Sequence, residues 1–202
     1  MSSSEYLLDK ARQLPAGVLR LLEYADALQP TTILICDCDA RPIGQSLEYL
    51  AAAKAVELPS ADGALHYRKV SRRTSPARLQ AHLADFFEHT AELAGAEKPS
   101  ILVVDDHISS GGTLQNFRKT LKNSGLDAEV RWATYTGRGT DFSAFPHIGP
   151  SALMPWRDRP DVIGISYDEA LQPVEHATER SREFYTAIAE GAHMAVQQTA
   201  LI

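Results

Sequence analysis

At 202 residues, with 44% hydrophobic and 23% charged side chains, the chain is long enough for one sizeable core and short for two. Its net charge of −6 argues against a nonspecific nucleic-acid binder, and no apolar run approaches a membrane span. The opening MSSSEYLLDKARQLP carries no apolar segment of signal-peptide length, so a cytoplasmic protein without a membrane partner is expected.

Two helical stretches come first, SEYLLDKARQL and AGVLRLLEYADAL, with Pro15 between them. In the second, Val18, Leu21, Leu22, Ala25 and Leu28 form an apolar stripe at helical spacing. After Pro30, TTILICDC reads as a buried strand and IGQSLEYLAAAKAV as a helix. Cys36 and Cys38 point to one face of that strand and are expected to be reduced, small buried residues. The Asp62-Gly63 turn introduces a second strand, GALHYRKV. Ser75-Pro76 then supplies an N-cap and a first-turn proline for a helix reaching Leu93. Its inward face would carry Leu79, Leu83, Phe86, Phe87, Thr90 and Leu93.

SILVVDD is the clearest strand, and TLQNFRKTLKNSG a helix closed by Gly125. AEVRWATYT and DVIGISY read as further strands, and VEHATERSREFYTAIAEGAHMAVQQ as a terminal helix weakened by Gly191. This alternation predicts a single α/β domain, with a mostly parallel central sheet flanked by helices. Its core would span about 31–169, with extra terminal helices at 1–29 and 174–198.

The stretch ILVVDDHISSGGTLQNF, Ile101 to Phe117, carries the chemistry. Ligands of such sheets sit beyond the carboxyl ends of strands, where Asp105 and Asp106 would lie. Ser109 to Thr113 would form the turn into the next helix, whose unpaired N–H groups suit an anion. Ser109, Ser110 and Thr113 add hydroxyl donors. Carboxylates beside an anion cradle repel it unless they face hydroxyl groups or a metal ion. A phosphorylated sugar meets both demands, with phosphate on the turn and ring diol on the aspartates.

VVDDHISSGGT resembles the phosphoribosyl pyrophosphate (PRPP) binding motif of type I phosphoribosyltransferases: an apolar strand, two acids, two mostly apolar residues, then a Thr/Ser/Gly-rich turn. The resemblance implies a type I phosphoribosyltransferase-like fold. The implied reaction is transfer of the phosphoribosyl group from PRPP to a nitrogenous base with release of pyrophosphate. It gives Asp105 and Asp106 the ribose hydroxyls and the positive charge that develops on the ring. It gives Ser109, Ser110, Gly111, Gly112 and Thr113 the 5′-phosphate, and Arg41, Lys69 and Arg68 the pyrophosphate. Mg²⁺ is the implied cofactor, bridging the pyrophosphate to the diol.

RPDVIGISYDE resembles the base-holding strand and loop of hypoxanthine-guanine-type members. That comparison sets Val162 against the base and Asp168 near the metal, while Trp156 either stacks on the acceptor or belongs to the core. The helix after Ser75 stands where many members carry a strand-forming lid. Whether the chain forms a homodimer is left open.

Other readings compete. A noncatalytic PRPP or nucleotide sensor would use the same pocket to regulate a partner. ILICDCDA resembles the Asp-x-Asp motif of haloacid dehalogenase-type phosphatases, in which Asp37 would attack a phosphate and Asp39 act as acid/base. ILVVDDH also resembles the start of a receiver domain, which would need a phosphorylatable aspartate ending a later strand. The strand end in PDVIGIS carries Ser166 instead.

Overall fold

The computed structural model describes residues 2–108 and 110–199. The chain opens with α1 (Ser3–Leu28), β1 (Thr32–Cys36), α2 (Arg41–Lys54), β2 (Leu65–Arg68) and α3 (Pro76–Ala94). There follow β3 (Ser100–Ile108), α4 (Gly112–Ser124), β4 (Glu129–Gly137) and β5 (Phe142–Phe145). The last part holds short α5 (Pro150–Leu153) and α6 (Pro160–Ile163), the strands β6 (Ile165–Tyr167) and β7 (Pro173–Glu175), and α7 (Glu179–Thr199).

Five strands make one wholly parallel sheet in the order β2-β1-β3-β4-β5. Every residue of β1 is buried, as expected of a parallel strand covered on both faces. The chain runs outward from β1 to β2, then returns past β1 to β3. Crossovers of one hand therefore put α2 on one face and α3 on the other. α1, α2 and α7 pack together, and α3 packs with α4. The result is an α/β sandwich with the sheet as its middle layer.

Several elements differ from the sequence expectation. α1 is one helix, started by a Ser2–Glu5 capping box, with Pro15 inside it. The proline removes one backbone donor, but Leu14, Pro15 and Val18 are buried, and packing carries the helix through the lost bond. DVIGISY is not one strand. Pro160 opens a helical turn, Gly164 adopts a left-handed φ of 78°, and only Ile165–Tyr167 is extended. That strand pairs antiparallel with β7, outside the main sheet. Val174 and Glu175 belong to β7, so α7 starts at Glu179. β5 adds a strand that the sequence reading lacked. Gly191 proves to be a packing residue, since a Cβ there would meet the Arg12 carbonyl of α1. Among the described residues, no helix is long and apolar enough to cross a membrane.

Candidate functional site

The strand order reverses between β1 and β3, and a crevice opens beyond the carboxyl ends of strands at such a point. Here it is a cavity of ≈ 340 Å³. Asp105, Asp106 and Asp39 line it from the strand ends, and Ser110 to Thr113 from the start of α4. Lys69 to Arg73 line it from the loop after β2, and Arg157 with Asp158 from the loop after α5.

The acidic pair lies just past Ile35 and Val104, where β3 stops pairing with β1 but continues along β4 to Ile108. Asp105 is 8% exposed and Asp106 5%. Asp105 Oδ1 accepts the Asp106 N–H at 2.9 Å. Burial, and then the like charge of Asp106, push the Asp105 carboxyl well above the usual range. Burial and Asp106 likewise raise Asp39, against the pull of the Asp158 N–H that it accepts at 2.9 Å. Three carboxylates thus crowd a place that favours hydroxyl donors or a cation.

Opposite them, Gly111 caps α4 with a φ of 72° and no side-chain cap. A Cβ at this position would meet nothing within 4 Å, so the demand for glycine comes from the backbone angle rather than from space. Gly112 and Thr113 line the cavity, and the first-turn N–H groups have no helical partners. Ser109 lies outside the described residues. Arg72 donates to Ser110 Oγ at 3.3 Å. Asn116 Nδ2 donates to the carbonyls of Ser71 and Thr74, both at 2.8 Å, and so pins the cationic loop to α4. The sequence reading had overlooked Asn116.

Of the residues assigned to the pyrophosphate, Lys69 lines the cavity, with Nζ 3.5 Å from Cys38 Sγ. Arg68 turns outward to Asp85 at 2.7 Å. Arg41 is the first residue of α2, and Asp37 holds it through Nε at 2.8 Å and through Nη2. Its guanidinium lies 4.9 Å from the centre of the Tyr67 ring. Burial acts to lower its pKa, but Asp37 outweighs this and raises it. Asp37 has a fully buried side chain and also accepts the Tyr167 hydroxyl at 2.6 Å. Both of its oxygens therefore accept hydrogen bonds, and Asp37 lines the same cavity as Asp39.

The residues assigned to the base and metal lie elsewhere. Trp156 is fully buried, packs on Phe184 at 5.5 Å and donates Nε1–H to the Asp39 carbonyl at 3.3 Å. Val162 is fully buried in α6. Asp168 is exposed in the β6–β7 turn, where it accepts the Gln172 N–H at 2.8 Å. Cys36 and Cys38 are both free thiols whose pKa burial raises.

Arg157 is the principal addition. Its Nε lies 3.1 Å from Asp106 Oδ2 and 3.9 Å from Asp39 Oδ2. The approach has the wrong angle for a hydrogen bond, so Asp106 Oδ2 has no hydrogen-bond partner among the described residues. The signal in MPWRDRP was a core tryptophan followed directly by a cation. Burying Trp156 beneath Asp39 sets the next side chain over the acids.

Magnesium, which the motif implies, fits this donor set. Asp106 Oδ2 lacks a hydrogen bond, Asp39 stands beside it, and a few carboxylate oxygens plus substrate phosphates suit an ion that keeps its waters. No protein-family model matches the chain, and no curated protein matches its sequence.

Proposed function

We propose that the protein binds PRPP in this cavity and transfers its phosphoribosyl group to a base nitrogen, releasing pyrophosphate. The carrying observation is that one cavity joins a buried carboxylate pair, a left-handed glycine turn at a helix start and a cationic loop. Asp105 and Asp106 accept hydrogen bonds from the ribose hydroxyls. The Ser110–Thr113 turn donates N–H and O–H groups to the 5′-phosphate. Lys69, Arg72 and Arg73 receive the diphosphate, whose charge grows as the anomeric C–O bond breaks. Its electron pair leaves with pyrophosphate, while the base nitrogen supplies the pair for the new C–N bond. The anomeric centre becomes positive midway, and the buried acids stabilise it there. Asp106 and Asp39 would hold Mg²⁺, which when bound offsets diphosphate charge. Free thiols on Cys36 and Cys38 are in keeping with a cytoplasmic setting.

The test is pyrophosphate release from PRPP across a panel of bases, with Asp106→Asn as the comparison. Loss of one preorganised electrostatic contact costs about 2.7–4 kcal/mol in the transition state, so turnover should fall roughly a hundred- to a thousandfold. Affinity should fall less, because the amide keeps the shape and one acceptor.

One observation favours a noncatalytic sensor as the second reading. Among the described residues, no Phe, Tyr or Trp lines the cavity, so a stacking wall for a base is missing. A sensor would bind PRPP without releasing pyrophosphate for any base.

A further inference from the structure

At the end of the sheet away from the cavity, three elements bring Asp62, His66 and His89 together. Asp62 sits in the turn before β2, His66 on β2, and His89 in the second half of α3. Asp62 Oδ2 lies 2.8 Å from His66 Nε2 and 2.8 Å from His89 Nε2. The three atoms all fall within 4.8 Å of one another.

The surroundings orient these atoms. Asp62 Oδ1 accepts the Ser60 hydroxyl and the Ala64 N–H, both at 3.1 Å. One carboxylate oxygen is thus anchored in the turn, and the other is presented to two imidazoles. Outer partners of this kind fix the direction of a metal ligand. The Phe86 ring backs His66 edge-on at 5.4 Å. The side chains of Asp62 and His66 are 14% and 17% exposed and that of His89 is 40%, so the cluster is sheltered with one open side. A single histidine would satisfy the free oxygen. Two converging on it exceed what holding the turn requires.

We propose that Asp62 Oδ2, His66 Nε2 and His89 Nε2 form a binding site for a zinc-class divalent metal, with a fourth position open to water. Zinc holds such ligands at about 2.0–2.1 Å in tetrahedral array, which sets them roughly 3.3 Å apart. From the present 2.8 Å the two Asp–His pairs need open by only about half an ångström, and the two Nε2 atoms already lie within 4.8 Å of each other. Binding displaces the Nε2 protons to solvent. Imidazoles select against magnesium, which takes oxygen ligands, so this site and the cavity call for different ions. The metal would tie α3 to edge strand β2 and to the loop before it. This inference is independent of the PRPP reading.

The test uses the full chain stripped with a chelator, titrated with Zn²⁺ by calorimetry and with Co²⁺ by visible absorption. One ion per chain and the absorption of four-coordinate Co²⁺ are expected in wild type and in Asp106→Asn. His89→Gln, at the most exposed ligand, should weaken Zn²⁺ binding at least about tenfold, the low end of the loss seen for outer partners alone. His66→Gln with His89→Gln should abolish it, with circular dichroism reporting the fold. A second measurement needs no variant: Co²⁺ should broaden the imidazole NMR signals of His66 and His89 among the 7 histidines. No binding by wild type, affinity unchanged in the variants, or broadening confined to other histidines would overturn the site.

Discussion

Arg157 stands over Asp106, with Nε 3.1 Å from Oδ2, its own side chain 37% exposed and that of Asp106 only 7%. The cation lies on the solvent side and the anion on the buried side. Arg157 therefore closes the acid cluster from outside, as the counter-charge that an incoming cation would replace.

Removing that counter-charge leaves Asp105, Asp106 and Asp39 facing one another. Arg157→Gln should cost about 1 kcal/mol, less than a fully buried pair because the arginine is partly solvated. For a chain of this size that lowers Tm by about 2–4 °C. Millimolar Mg²⁺ should restore the variant by more than it raises wild type. Thermal melts with and without Mg²⁺ decide this, and a variant indifferent to the ion contradicts the assignment.

Adjacent residues should behave differently. Lys69 lines the cavity while Arg68 is turned to Asp85. A hydrogen bond to a charged group is worth about 1.5–3 kcal/mol, so Lys69→Ala should weaken PRPP binding roughly tenfold or more. Arg68→Gln should leave affinity within about twofold, since exposed ion pairs contribute little. Calorimetry on both variants measures the contrast.

Asp105 links the site to stability. Its folded pKa is raised above the ordinary 3.8, so the folded state binds more protons between that value and the raised one. Stability from this group is present at acid pH and lost as pH rises through the window. Asp105→Asn cannot ionise and keeps an acceptor for the Asp106 N–H. Urea unfolding should find it more stable than wild type at neutral pH and above, with the difference closing toward acid pH. A difference that grows toward acid pH has the wrong sign for this account.

At Gly111 the cost of a side chain is conformational. Gly111→Ala should lose about 1–2 kcal/mol of stability, the penalty of a left-handed angle, since nothing lies within 4 Å to clash. Denaturant titration measures it. Unchanged stability would mean that the turn adopts another conformation.

Much of the fold was legible because parallel strands buried on both faces read as apolar runs, as Thr32–Cys36 and Ile101–Val104 do. Gly125 marked the end of α4 as expected. Short elements were not legible. Phe142–Phe145 is four residues long and gains its strand character from pairing with β4. Ile165–Tyr167 owes its brevity to the helical turn that Pro160 begins. Within the site, Asp105, Asp106, Lys69 and the Ser110–Thr113 turn came together because strand ends and a following turn are local facts. Arg157 arrives through tertiary packing of Trp156, and Arg41 is drawn away by Asp37. The first depends on where Trp156 packs in the fold, whereas the second joins residues only four apart in the chain.

The most direct measurement is a calorimetric titration of PRPP, with Mg²⁺ present, into wild type and Thr113→Val. The variant removes one hydroxyl from the proposed phosphate turn and keeps the side-chain shape. Saturable one-to-one binding that weakens roughly tenfold in Thr113→Val is the predicted result. Absence of binding by wild type, or equal affinity in the two proteins, would contradict the placement of a phosphoribosyl ligand between β3 and α4.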